Sequence, residues 1–167
     1  MGFGLASLIF LSLVTAVDAP TPLPHQPEDV RRYREGAARG ESWNQAALGW
    51  LYDMGVGVPQ DHAEAVKWYT KAADQGFPEA QYNLATLYSS GRGVRRDYAK
   101  AYFWANIAVT LDPISPLAAL NGRTEAKPEY IQFRDEVAAK LSPAQLAATQ
   151  KRCRQWLDAF EKRKAQK

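Results

Sequence analysis

A 36-residue period in the middle of the chain constrains its fold more than any other feature. Residues 47–73 are followed at that spacing by a second copy, residues 83–109. The copies share, without a gap, a Leu-x-x-Leu-Tyr run, a Gly-x-Gly-Val run, an aspartate, three alanines and a tryptophan. A fixed period of about 20–50 residues is typical of stacked repeat arrays, in which each unit packs on its neighbours.

Each copy predicts two helices joined by a glycine turn. Helix A of the first copy is predicted over residues 43–54, and the glycines and proline of residues 55–59 end it. Asp61 then caps helix B, and Glu64 stands at the spacing of a capping box. Helix B is predicted to end at Gly76, and the second copy repeats this order of elements.

The aromatic residues that recur with the period are predicted to lie in the core. Trp68 and Trp104 occupy equivalent positions on helix B, and Tyr52 and Tyr88 occupy equivalent positions on helix A. A residue that recurs with the period performs the same packing task in each unit. Large aromatic rings also supply much contact area in a small fold.

The pattern from residue 47 to residue 76 is Ala-Leu-Gly-x-Leu-Tyr-x-x-Gly-x-Gly-Val-x-x-Asp-x-x-x-Ala-x-x-Trp-Tyr-x-Lys-Ala-Ala-x-x-Gly. It closely resembles the Sel1-like repeat, a relative of the tetratricopeptide repeat that builds solenoids of helical pairs. The resemblance covers roughly residues 33–110. It implies an all-α fold, a right-handed α-solenoid of helix-turn-helix repeats with capping helices. It also implies a scaffold for protein–protein interaction.

These patterns divide the chain into four segments. They are a signal peptide at 1–19, a Pro-rich spacer at 20–27, Sel1-like repeats at 28–112, and a C-terminal helical cap with a basic tail at 113–167. The repeat region is predicted to hold a partial unit at 28–42 and full units at 43–78 and 79–112.

The N-terminal segment predicts export from the cytoplasm. Residues 2–17 carry no charge, end in small residues and are shorter than the roughly 20 residues of a membrane-spanning helix. This favours a secretory signal peptide and a periplasmic or secreted protein, although no Lys or Arg precedes the apolar run. An uncleaved membrane anchor and the apolar N-terminus of a cytosolic protein remain as alternatives.

The residue counts argue against several kinds of catalytic and metal site. One cysteine, Cys153, cannot form an intrachain disulfide or a thiolate cluster, and two histidines cannot form a histidine-rich site. We therefore expect no catalytic residues, no cofactor and no metal. The alternative is a hydrolase like the Sel1-type proteins associated with β-lactam hydrolysis, but the paired cysteines of those proteins are absent here.

Positive charge is concentrated at the C-terminus. From Ser142 onward there are seven Lys/Arg and two Asp/Glu, whereas the rest of the chain has a slight negative excess. Such a tail can make weak contact with an anionic surface. This leaves an envelope-associated accessory protein as another alternative, and we expect no nucleic-acid partner.

Helix A is predicted to carry the binding surface. Leu48, Leu51 and Tyr52 point inward, so the opposite stripe is available to a partner. That stripe holds Ala46 and Glu79 together with the predicted partner-binding residues, which are Trp43, Trp50, Asp53, Tyr82, Thr86 and Ser89. In tetratricopeptide arrays helix A lines the concave surface, and the resemblance implies the same here. The expected partner is a protein or peptide.

Overall fold

The structure is a computed structural model that describes residues 27–112 and 125–166. Across these ranges helices are the regular elements, which confirms the predicted all-α fold class. They are α1 (Pro27–Ala38), α2 (Ser42–Met54), α3 (His62–Asp74), α4 (Pro78–Ser90), α5 (Tyr98–Leu111), α6 (Pro128–Ala138) and α7 (Pro143–Ala165). The predicted signal peptide, most of the spacer and the first twelve residues of the predicted C-terminal cap lie outside the described residues. Among the described helices, none combines the length and the apolar character that a membrane crossing needs.

Equivalent aspartates begin the second helix of each unit. Both Asp61 and Asp97 have an extended backbone, and both accept a backbone N–H of the following turn. The Asp61 carboxylate lies 3.0 Å from the Glu64 nitrogen, and the Asp97 carboxylate lies 2.9 Å from the Lys100 nitrogen. The capping box expected at Asp61 does not form, because the Glu64 carboxylate instead accepts from the Lys67 ammonium at 2.5 Å. The aspartate alone therefore supplies the cap, a contribution of about 1 kcal/mol.

Equivalent glycines end the first helix of each unit. Gly55 and Gly91 have left-handed backbones, with φ of 71° and 75°. Each donates its N–H at 2.8 Å to the carbonyl four residues earlier, on Leu51 and Leu87 respectively. A side chain is strained in this conformation, so the turn requires glycine.

A repeated hydrogen bond joins each unit to the helix before it. The buried Gln45 amide donates to the Ala37 carbonyl at 3.3 Å, and the buried Gln81 amide donates to the Ala73 carbonyl at 2.9 Å. These donors and acceptors are one period apart. Consequently α2 is bonded to α1 in the same way as α4 is bonded to α3. Helix α1 therefore takes the place of the second helix of a preceding unit.

The two units use different pairs of side chains where their own two helices pack together. In the first unit Gly49 on α2 faces the buried ring of Tyr69 on α3, and a Cβ on Gly49 would lie 2.7 Å from the ring carbon Cδ1. In the second unit the equivalent residues are Ala85 and Ala105, both fully buried. A glycine paired with a large ring is thus replaced by two residues of similar, small size, which keeps the packing dense.

The repeated tryptophans are half-buried rather than fully buried. Trp104 contacts two core clusters, and its ring packs edge-on against Phe103 and Trp156 at centroid distances of 5.0 and 5.9 Å. Trp68 packs against a core cluster that includes Leu48 and Leu51 of α2, and the Lys71 ammonium lies 4.0 Å from the centre of its ring. Both residues contribute to the core, as predicted, but their surroundings differ.

The last two helices both pack mainly on α5, and Leu146 near the start of α7 also joins the cluster that holds Val137 of α6. On α6, Val137 is buried against Tyr102 of α5. On α7, Cys153 and Phe160 join a cluster with Ile107 of α5. The C-terminal helices therefore cover the last repeat helix from two sides and do not form a further repeat hairpin.

Specific contacts hold the long helix α7 near both of its ends. Ser142 and Gln145 form a capping box, with the Ser142 N–H donated to the Gln145 side chain at 2.9 Å. Toward its other end, the Phe160 ring covers Gly76 in the turn between α3 and α4, where a Cβ would collide with the ring. Thus α7 spans from α5 back to the turn that precedes α4.

Candidate protein-binding surface

Helix α2 carries the large exposed apolar side chains of the described chain. Trp43, Trp50 and Met54 are 59%, 36% and 49% exposed. Their spacings of seven and four residues place them on one face of the helix. Ala47, which is partly exposed, fills the gap between the two tryptophans. We call these four residues, Trp43, Ala47, Trp50 and Met54, the α2 stripe.

The exposed stripe is rotated from the predicted one. The expectation that Ala46 and Asp53 are exposed is wrong, since they are 7% and 5% exposed. Helix α2 packs against α1, α3 and α4, so its buried face is wider than the Leu48, Leu51 and Tyr52 pattern indicates. The line of exposed side chains is therefore narrow, and it runs through Met54 instead of Asp53.

Asp53 stabilises the fold, and its carboxylate contacts the side chains of His62 and Arg92. His62 Nδ1 on α3 lies 2.8 Å from Asp53 Oδ1, and the Arg92 guanidinium of the second unit lies 3.6 Å from the same oxygen. The backbone carbonyl of Asp53 accepts from the Gln60 amide at 2.8 Å. A buried carboxylate is tolerated only with such partners. Asp53 thus ties the end of α2 to the start of α3 and to the next unit.

Tyr82 packs against aromatic side chains of helix α6. Its ring stacks on Tyr130 at 4.4 Å with an interplanar angle of 17°, and Phe133 meets it edge-on at 5.4 Å. Burial raises the pKa of the Tyr82 hydroxyl, and the nearby carboxylates of Glu129 and Glu136 raise this pKa further. The expectation that Tyr82 joins Trp43, Trp50 and Asp53 in one exposed surface is therefore wrong.

The remaining predicted residues on α4 are half-buried. Thr86, one period after Trp50, donates its hydroxyl to the Asn83 carbonyl at 2.7 Å. Ser89 is one period after Asp53 and is also half-buried. Glu79 pairs with the Lys127 ammonium at 2.8 Å, which ties α4 to the start of α6. The role of Thr86 and Ser89 in partner binding stays a prediction.

An aromatic contact links the α2 stripe to the turn that precedes α4. The Trp43 ring meets Phe77 edge-on, with centroids 6.2 Å apart and an interplanar angle of 65°. Phe77 directly precedes α4. Edge-on aromatic pairs are favourable, so this contact fixes the Trp43 end of the stripe even though the ring is largely exposed.

Sequence reasoning missed Met54 and Ala47 as members of the surface. A comparison of the two repeat copies contains a signal for both residues. One period later, Met54 is replaced by Ser90 and Ala47 by Asn83. Apolar residues that become polar in the equivalent unit are not required by the shared packing.

The comparisons with known proteins agree with this geometry. The Sel1 repeat family matches residues 45–77 and 78–113. Among solved structures, the chain is similar to a protective antigen of uropathogenic Escherichia coli strains that displays an SLR fold, with 30% identity over 80% of this chain and a TM-score of 0.70. It is also similar to a Sel1 repeat protein from Oxalobacter formigenes, with 36% identity over 50% of this chain and a TM-score of 0.50.

The similarity spans part of each relative. The chain covers 26% of the length of the Escherichia coli protein and 64% of the Oxalobacter formigenes protein. No curated protein is similar enough to match the chain.

Proposed function

This chain contains two Sel1 repeats, and from that premise we propose that it is a scaffold that binds a protein or peptide through the α2 stripe. Sel1 repeat proteins are generally protein-interaction scaffolds. The partner proposed here is a segment that buries apolar side chains against Trp43 and Trp50. By analogy with tetratricopeptide arrays, we expect the stripe to face the concave side.

One observation carries the proposal: the apolar stripe is confined to the first unit. The residues of α4 that are equivalent to the stripe are polar, and they are Glu79, Asn83, Thr86 and Ser90. The stack therefore does not need apolar residues at these positions. Exposed apolar patches on a soluble protein generally mark an interaction site.

The dimensions of the α2 stripe fit a peptide partner. Eleven residues separate Trp43 from Met54, a rise of about 16 Å along the helix. That length matches two to three turns of an amphipathic helix with apolar anchors at i, i+4 and i+7. Tryptophan is among the residues that most often dominate binding energy, and Trp50 lies between Trp43 and Met54.

A matched pair of variants tests this proposal. The tagged full-length protein is used to isolate its partner, and the dissociation constant is then measured for wild type, Trp50→Ala and Thr86→Ala. We expect Trp50→Ala to lose about 2 kcal/mol of binding free energy, or roughly thirtyfold in affinity. Thr86→Ala, the equivalent position of the second unit, is expected to change affinity by less than about threefold. Unchanged affinity of Trp50→Ala with an unchanged circular dichroism spectrum would rule the α2 stripe out.

The single thiol of the chain, on Cys153, does not support a catalytic function. The Cys153 side chain is 1% exposed, and burial raises its pKa to about 11. The thiol lies 3.8 Å from the Phe103 carbonyl, to which it donates. A nucleophilic cysteine needs a thiolate and access to solvent, and Cys153 has neither at neutral pH. This argues against the hydrolase alternative and in favour of a binding function.

We further propose that the protein acts outside the cytoplasm. The uncharged run at residues 2–17 supports this, since it has the length and the small-residue end of a signal peptide. N-terminal sequencing of the protein from its native host tests the proposal. A start at Val17 or Pro20 would support export, whereas an intact Met1 on soluble cytosolic protein would reject it.

A further inference from the structure

The glycine turn of the second unit and the first turn of α5 are strongly basic, whereas the equivalent stretch of the first unit is not. Four positions change from neutral or acidic residues to cations over one period, from a summed charge of −1 to one of +4. In the first unit they are Val56, Pro59, Gln60 and Glu64, and in the second unit they are Arg92, Arg95, Arg96 and Lys100. Because the backbone of the turn is the same in both units, the shared fold does not account for this change.

The basic residues of this turn surround an open hollow of about 460 Å³. It is lined by Tyr88, Val94, Arg95, Arg96, Asp97 and Lys100. Three of the six lining residues are cationic and one is acidic. The acidic one, Asp97, already caps α5. We call this hollow the α4–α5 hollow.

The cations at the hollow keep their donors available. The Arg96 guanidinium lies 5.6 Å from the centre of the Tyr98 ring, and the Lys100 ammonium lies 5.1 Å from the centre of the Tyr88 ring. Arg95 is exposed and makes no ion pair with any other residue that the structure describes. Contacts with aromatic faces position a cation without using up its hydrogen bonds.

Arg92, in contrast, is committed to the fold. Its guanidinium faces the buried carboxylate of Asp53 at 3.6 Å and the Ser90 hydroxyl at 3.3 Å. This separates the basic residue that performs a structural task from the three that line the hollow. The structural task of Arg92 explains one of the four charge changes and leaves three unexplained.

The turn that carries these cations is rigid. The Asp97 N–H is donated to the Tyr88 carbonyl at 2.9 Å, which closes the turn across its two ends. Gly93 lies so close to His62 of α3 that a Cβ would collide with the backbone there. A site on a fixed backbone loses little conformational freedom on binding, which favours affinity for a small ligand.

We propose that the α4–α5 hollow binds a compact anion that carries two or more phosphate groups. Arginine forks match the geometry of phosphate oxygens, and three cations require a multiply charged ligand for neutralisation. An extended polyanion does not fit, because the first unit's turn lacks these cations. The basic end of α7 lies beside Gly76, about 20 Å away at the other end of α4.

Calorimetric titration of the full-length protein with sodium tripolyphosphate tests the proposal. The site variant is Arg95→Gln with Arg96→Gln, and the control variant is Lys151→Gln with Lys162→Gln on α7, which removes the same charge. We expect saturable binding to wild type and a loss of affinity of about tenfold or more in the site variant. The control variant is expected to stay within about threefold of wild type.

A second arm identifies the source of the phosphate. Flotation with vesicles that contain cardiolipin, whose headgroup carries two phosphates, compared with phosphatidylcholine vesicles, asks whether lipid headgroups occupy the hollow. Binding to the cardiolipin vesicles alone that the site variant abolishes would support the hollow with a lipid headgroup as its ligand. Tripolyphosphate binding that the site variant weakens would support it with a free anion. Equal losses in both variants, or no binding of either probe by folded wild type, would overturn the proposal.

Discussion

Replacing Gly49 with alanine tests the complementary packing of the two units. In a helix interior this change normally stabilises by about 1 kcal/mol, because alanine restricts the unfolded chain. Here the new Cβ would lie 2.7 Å from Cδ1 and 2.9 Å from Cε1 of Tyr69. These atoms belong to a buried ring that cannot swing away, so overpacking should cost about 1–3 kcal/mol. We therefore expect Gly49→Ala to lower the free energy of unfolding by up to about 2 kcal/mol.

The same substitution should change sign when the ring is removed. Tyr69→Ala alone should cost about 3–5 kcal/mol through the cavity that it leaves. In that background Gly49→Ala meets no ring and recreates the Ala85 and Ala105 pair of the second unit, so it should stabilise by about 1 kcal/mol. The coupling energy between the two sites is then about 1–3 kcal/mol, which is the overpacking cost itself.

Urea unfolding followed by circular dichroism measures each corner of this cycle. Ala85→Gly is the matched control, since it exchanges the same two residues in the other direction at the equivalent position. It should destabilise by about 1 kcal/mol, so that opposite exchanges in the two units both weaken the fold. If Gly49→Ala stabilises the wild-type protein by the same amount as the Tyr69→Ala variant, the packing argument is refuted.

Two further predictions follow from burial. Trp104→Ala should cost about 3–5 kcal/mol of unfolding free energy, because its ring joins two core clusters, whereas Trp68→Ala should cost less than about 3 kcal/mol. Urea midpoints in the reverse order would contradict this. Burial raises the pKa of the Cys153 thiol from 9.0 to about 11, so the folded protein keeps a proton that the unfolded chain loses. This stabilisation is present below pH 9.0 and is lost as the pH rises toward about 11. Urea unfolding across this range should show a smaller loss for Cys153→Ala than for wild type, and identical losses would refute the assignment.

The period predicted the elements that perform the same task in each unit. Asp61 and Asp97 cap equivalent helices, and Gly55 and Gly91 end equivalent helices, because a cap and a left-handed turn are local requirements of the backbone. Such requirements can be recognised in the sequence without knowledge of the neighbouring helices.

The exposed side of α2 could not be predicted in the same way. Whether Asp53 or Met54 points outward depends on three neighbouring helices at once and on contacts with His62 of α3 and Arg92 of the second unit. The partial burial of Tyr82 depends on α6, which lies beyond the part of the sequence that follows the period. Contacts that no repeat constrains are fixed only by the tertiary structure.

The hydrogen bonds from Gln45 to Ala37 and from Gln81 to Ala73 have a consequence for how such a chain can be lengthened. A copy of one period inserted just before Phe77 would present the correct donor to the helix before it and the correct acceptor to the helix after it. A copy added after Asp112 would instead meet α6, which already covers α5. The repeat array can therefore be lengthened from within by whole periods, whereas a further repeat placed after α5 would compete with α6 for the same surface.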